Sequence, residues 1–177
     1  IRVEKIRQFM IKEKLDAYLI LSADPHLNEY LPSFYQSRAF VSGFKGSAGS
    51  LIITSQDAFL WTDGRYWIQA QKELEGSGIL LQKQDANNTF LKWLKENLNE
   101  EQNLGIDFSV LSLSLQKEIQ KNCKAELKNI DLISLIWEDR PALPKNKVYE
   151  HELEYCSYSR KEKLLLTNGL CERCLKK

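Results

Sequence analysis

"SRAFVSGFKGSAGSLIITSQDAFLWTDGRYW" runs from Ser37 to Trp67. Three strand-like runs stand close together in it: AFVSGF at 39–44, GSLIIT at 49–54 and DAFLWTD at 57–63. They are rich in β-branched and aromatic residues. Glycines, then a Ser55-Gln56-Asp57 turn, separate them, which is the spacing of an antiparallel meander. The expected strands are Ala39–Gly43, Ser50–Thr54 and Ala58–Thr62. The period then changes. Tyr66, Trp67, Ala70 and Leu74 fall on one side of a helix expected to start at Asp63, whose carboxylate stands at an N-cap position. Gly76 and Gly78 stop that helix.

Upstream, Ile6, Phe9 and Met10 recur at helical spacing between charges, so 2–15 reads as an amphipathic helix. The apolar run DAYLILSA reads as a buried strand over Ala17–Ser22. The segment from Asp24 to Arg38 holds Pro25 and Pro32 and reads as a long connection, a place where function collects. Downstream, strand and helix alternate. Strands are expected at Ile79–Lys83 and Leu104–Asp107, with an edge strand near residues 125–131. Helices are expected after Asn88 or Thr89, after Ser112 or Ser114, and over 132–139. The resulting fold class is α/β: a mixed β-sheet with meander strands and helices on both faces. The two prolines of RPALPKNK close the unit, giving a domain over 1–145 and a linker or start of a further domain over 146–177.

The 177 residues carry 25 Lys and Arg against 24 Asp and Glu, a net charge of +1. A nucleic-acid footprint needs a basic excess on one face, so no nucleic-acid partner is expected. No apolar run nears the roughly 20 residues that span a bilayer, so no membrane partner is expected. The opening residues are charged and lack a signal-peptide apolar block, from which a cytoplasmic location is expected. Cys123, Cys156, Cys171 and Cys174 are unevenly spaced and read as free thiols. For the Cys171/Cys174 pair, only Cys156 and His151 stand near enough to complete a zinc set.

Chemistry-bearing patterns are few. GFKGSAG is not GxxxxGK[ST], and a strand rather than a helix follows it, so it reads as a tight turn of small residues. There is no GxSxG and no HExxH. His26 and Tyr30 lie in the long connection, where position alone makes them candidates. Glu150, Glu152 and Glu154 read as solvated charges. Arg65 would occupy a first helical turn, where the helix dipole disfavours a cation, so it needs a partner. Arg38, just ahead of the first meander strand, raises the same question. Each partner is either a local acid, such as Asp63 or Asp24, or something outside the domain. No catalytic and no metal-ligating residue is assigned.

Taken together, Ser22-Ala23-Asp24, His26, Glu29-Tyr30, RAF at 38–40, SGF at 42–44, GSAG at 46–49, WTDGRY at 61–66, LGID at 104–107 and LIWEDRP at 135–141 resemble the first domain of the Xaa-Pro aminopeptidases, within the creatinase/prolidase superfamily. The likeness covers about residues 1–145. It implies a non-catalytic N-terminal domain of a metal-dependent peptidase that removes the residue preceding proline. In the parent enzyme a later pita-bread domain would hold two divalent metals, manganese, through two Asp, one His and two Glu. None of those ligands falls in this chain, which needs no cofactor itself. The implied partners are the downstream catalytic domain, a peptide with proline second, and further copies of the parent. Arg38, Arg65, His26 and Tyr30 become candidates for substrate-cleft or inter-domain contact. The alternatives are a stand-alone interaction module of the same fold and the N-terminal domain of a prolidase- or creatinase-type enzyme. After SRKEKL the tail departs from the family's pattern. Residues beyond Lys161 are expected to be mobile, or ordered only against another copy.

Overall fold

The computed structural model describes residues 2–147, 149 and 151–175, with side chains placed through residue 169. It divides into two compact units, Ile1–Leu143 and Pro144–Lys177.

The first unit begins with helix α1 (Arg2–Lys12) and strand β1 (Ala17–Leu21). A helical turn at Ser33–Tyr35 precedes helix α2 (Ser37–Ser42). Strands β2 (Ser50–Thr54) and β3 (Ala58–Thr62) form a hairpin, followed by helix α3 (Trp67–Glu73) and strand β4 (Leu80–Lys83). Helix α4 (Phe90–Asn97), strand β5 (Asn103–Ile106), helix α5 (Leu113–Asn122), strand β6 (Glu126–Asn129) and helix α6 (Ile133–Ile136) complete it. The six strands lie in the order β4-β3-β2-β1-β5-β6. β1 pairs antiparallel with β2, and β2 with β3. β3 and β4, β1 and β5, and β5 and β6 pair in parallel.

Alternation along the central strands divides their side chains between two cores. Tyr18, Ile20, Leu51, Ile53 and Leu60 face α1, α2, α3 and α6 through Ile6, Met10, Val41, Ala70 and Ile133. Leu19, Ile52, Trp61 and Ile106 face α4 and α5 through Leu94, Leu98 and Ile119. The sheet is therefore covered on both faces, as its nearly continuous apolar strands require. Two of the helices open where hydroxyls cap them: Thr89 accepts from the Lys92 N–H at 3.1 Å, and Ser112 from the Leu115 N–H at 3.2 Å.

Two expectations are corrected. The run at Ala39–Gly43 is not a strand but the body of α2, and the meander's first strand is β1. Arg38, Val41 and Ser42 are its buried positions, an i, i+3, i+4 spacing, and Gly43 closes the helix at φ 79°, a left-handed conformation suited to glycine. Nor does α3 start at Asp63. Asp63 instead folds a turn: its Oδ1 accepts from the Arg65 N–H at 3.1 Å and its carbonyl from the Tyr66 N–H at 3.0 Å. The helix begins at Trp67.

The second unit carries a helical turn at Leu153–Tyr155 and helix α7 (Arg160–Leu175). The tail, expected to be mobile or ordered only against another copy, is helical over Arg160–Leu175. Its local cause is a capping box. The Ser159 hydroxyl accepts from the Glu162 N–H at 3.2 Å, and the Glu162 carboxylate accepts from the Ser159 N–H at 2.8 Å.

Candidate functional site

β1, β3, β4, β5 and β6 all run one way, so five strands end, and β2 begins, at one end of the sheet. Open α/β sheets bind ligands at this carboxyl end, where the chain switches direction of winding. Here the switch lies between β1 and β5. The segments singled out in the sequence meet at this end: residues 22–30 after β1, 44–49 before β2 and 63–66 after β3.

The loop after β1 is built on Asp24, which is buried. Its carboxylate accepts from the His26 N–H at 2.9 Å, the Asn28 N–H at 3.0 Å and the Asn28 side-chain amide at 2.7 Å. Burial alone would raise its pKa. The bonds from Asn28 and His26 outweigh burial and hold it below the usual carboxylate value. The same turn sets Leu27 at φ 56°, a left-handed conformation that is costly for a branched residue.

The loop before β2 is held from beneath by Arg38, which is 4% exposed. Its Nε donates to the Ser22 hydroxyl, Nη1 to the Phe44 carbonyl at 2.9 Å, and Nη2 to the Gly46 carbonyl. Burial pulls its pKa down to about 10, against the raising influence of Glu73. It remains charged at neutral pH. At Gly49 a Cβ would stand 2.9 Å from the Trp61 carbonyl oxygen, so only glycine fits that approach. Ser47 and Tyr66 join the two loops by a 2.8 Å hydroxyl bond.

Arg65 stands at the rim, with 68% of its side chain exposed. Its Nε and Nη2 donate to the two oxygens of Asp63, each at 2.9 Å. Those bonds lower the Asp63 pKa and raise that of Arg65. With Glu29 it lines a cleft of about 410 Å³ at the switch between β1 and β5. Leu21, Phe90, Val110 and Leu115 form that cleft's apolar wall.

Of the four residues named from the sequence, three are on the surface of this end. Arg65 is paired locally with Asp63. His26 and Tyr30 are exposed, Tyr30 at 83%. Arg38, read as a possible outside contact, is turned inward. Sequence reading named Asp24 only as a possible partner for an arginine and missed that it closes its own loop, although an Asp-Pro pair ahead of Asn28 is the pattern of a side-chain-closed turn. It also missed Arg140. That guanidinium lies 3.9 Å from the Phe34 ring centroid and donates to Asp131 at 2.9 Å and to the Phe34 carbonyl at 2.9 Å. It pins the long connection to the exit from the unit. Cys123 is buried and unpaired, Cys156 unpaired. The side chains of Cys171 and Cys174 lie outside the described ones, as does Glu150. Among the described residues no group of three His, Cys, Asp or Glu is placed to hold a metal ion. No helix among them is long and apolar enough to cross a membrane.

Residues 2–141 match the family model of the creatinase/prolidase N-terminal domain. A probable Xaa-Pro aminopeptidase P of Laccaria bicolor is 35% identical over 171 residues, covering 92% of this chain and 26% of that protein. Xaa-Pro aminopeptidase 1 of Dictyostelium discoideum is 36% identical over 177 residues, covering 92% and 28%. The chain thus spans just over a quarter of the length of these relatives. The crystal structure of an X-prolyl aminopeptidase from Caenorhabditis elegans, described as a cytosolic enzyme with a di-nuclear active site, superposes with a TM-score of 0.86 at 26% identity. It covers 97% of this chain, which covers 31% of it. An Xaa-Pro dipeptidase from Bacillus anthracis, 24% identical, shares the fold with a TM-score of 0.57 over 75% of this chain.

Proposed function

This chain belongs to the creatinase/prolidase N-terminal domain family, and on that premise we propose that it is the accessory domain of a metal-dependent Xaa-Pro aminopeptidase. The observation that carries the proposal is the superposition on the C. elegans enzyme, which covers 97% of this chain but only 31% of the enzyme. The residues are consistent with an accessory role. The described side chains supply no metal-ligand cluster. The two-metal chemistry of such an enzyme, manganese-dependent on this proposal, therefore has no ligand set among them. Its work would be done by a catalytic domain elsewhere in the parent protein.

Within that enzyme the carboxyl end of the sheet is the surface offered to the rest of the molecule. Arg65, with His26 and Tyr30 beside it, would restrict the mouth of the substrate cleft or meet the catalytic domain. Arg38 would act indirectly, by shaping the loop at 44–49. The parent is proposed to work in the cytosol as a homo-oligomer on peptides with proline second.

The test is an assay of the full-length protein encoded with this chain. Stripped of metal and reloaded with Mn²⁺, it should release the residue before proline, and a chelator should abolish the activity. A full-length protein inactive on every Xaa-Pro peptide would remove the proposal.

A further inference from the structure

Beside the rim of Arg65 lies a second, larger cleft of about 640 Å³, bounded by α2 and the loop at 43–47. Its charge is unbalanced. The chain as a whole has a net charge of only +1, yet Arg2, Arg38 and Lys45 line this cleft against one carboxylate, Glu29. Glu29 also lines the neighbouring cleft, together with Arg65.

The three cations are held differently. Arg2 is fixed: its guanidinium lies 4.3 Å from the Phe40 ring centroid and donates to the Phe40 carbonyl at 2.6 Å. Phe40 is stacked in turn on Trp137, with centroids 4.1 Å apart. Lys45 is exposed, and among the described residues its ammonium has no carboxylate within 4 Å. Arg38 is buried, and its hydrogen-bond partners among the described residues are all neutral. Two of these, Ser22 and Gly46, are themselves wall residues. Glu73 acts on Arg38 only from beyond ion-pair distance, its oxygens taken by the Lys45 N–H and by Gln69. A guanidinium that has left water with no carboxylate bound directly to it attracts any anion able to approach it.

We propose that this cleft is an oxyanion-binding site, in which Lys45 and Arg2 hold a carboxylate or phosphate group above the buried charge of Arg38. The site is independent of the peptidase reading, because it needs only this chain.

The full 177-residue chain is titrated with inorganic phosphate, and in a parallel arm with acetate, at constant ionic strength, following backbone amide resonances. Saturable shifts confined to residues 43–47 and the start of α2 are expected in at least one arm. Tighter phosphate binding marks a phosphate ligand, and equal or tighter acetate binding a carboxylate one. Lys45→Gln should weaken the tighter ligand roughly tenfold, since a charge-assisted bond is lost. Lys45→Glu should abolish saturation. Lys95→Glu, the same charge change on an exposed face of α4, should leave it unchanged. Lys45 is exposed, so its variants keep the fold. Shifts that fail to saturate in both arms, that spread over surface lysines, or that survive Lys45→Glu overturn the proposal.

Discussion

Arg65 closes a fork on Asp63, with Nε and Nη2 each 2.9 Å from a different carboxylate oxygen, at the outer lip of the sheet's carboxyl end. The pair is local, two residues apart, and Arg65 is mostly solvated, so it adds little to folding. On the proposed function, its role is to present a cation at a fixed place. Arg65→Ala should shift the chain's melting temperature by no more than about 3 °C. If the proposed role holds, the same change should lower kcat/KM of the full-length peptidase roughly tenfold. Calorimetry on the chain and steady-state kinetics on the full-length protein check the two halves separately.

Arg38 should behave in the opposite way. Its removal leaves the Phe44 and Gly46 carbonyls and the Ser22 hydroxyl without their donor in a buried setting. Arg38→Gln is expected to destabilise the chain by about 2–4 kcal/mol, read from denaturant melts. A loss below about 1 kcal/mol would show that the loop at 44–49 stands without it.

The glycines separate by what surrounds them. A Cβ on Gly49 meets the Trp61 carbonyl oxygen at 2.9 Å, backbone that has no easy way to move, whereas one on Gly64 meets nothing nearer than 3.9 Å. Gly49→Ala should cost about 1–3 kcal/mol, and Gly64→Ala should lie within about 0.5 kcal/mol of the parent. Equal effects would mean that the hairpin yields freely at Gly49.

Asp131 gives a pH test. Burial would raise its pKa, but hydrogen bonds from Ser134 and Arg140 outweigh burial and hold it below the ordinary 3.8. A depressed folded-state pKa means stability that is fully present above the unfolded value and lost as pH falls through the folded one. The chain should therefore weaken below about pH 4, and Asp131→Asn should be less stable at neutral pH and lose less on acidification. Melting curves from pH 7 to pH 2 on both proteins decide this.

How much of this was legible in the sequence depends on the range of the interactions involved. The strands were readable because runs such as AYLIL and SLIIT are apolar on both faces, and the caps because Thr89 and Ser112 act on their own first turns. The run at 39–43 misled because Ala39, Phe40 and Val41 suit a strand as well as a helix. The spacing Arg38, Val41, Ser42 and the closing Gly43 carried the helical signal. The pairing of β1 with β5, 87 residues apart between Ala17 and Leu104, has no local mark. The same holds for the site. Arg65 and Asp63 are neighbours in sequence, and their pairing was one of the foreseen outcomes. The inward turn of Arg38 and the clamp of Arg140 on Phe34 depend on segments brought together only by the fold.

On the proposed function, this chain frames a peptidase site without carrying its chemistry. Metal analysis of the purified 177-residue chain after dialysis against Mn²⁺, coupled to an assay on Arg-Pro-Pro, tests it most directly. The account predicts no stoichiometric Mn²⁺ and no release of arginine. Retained metal together with turnover that follows the chain through further purification would contradict it.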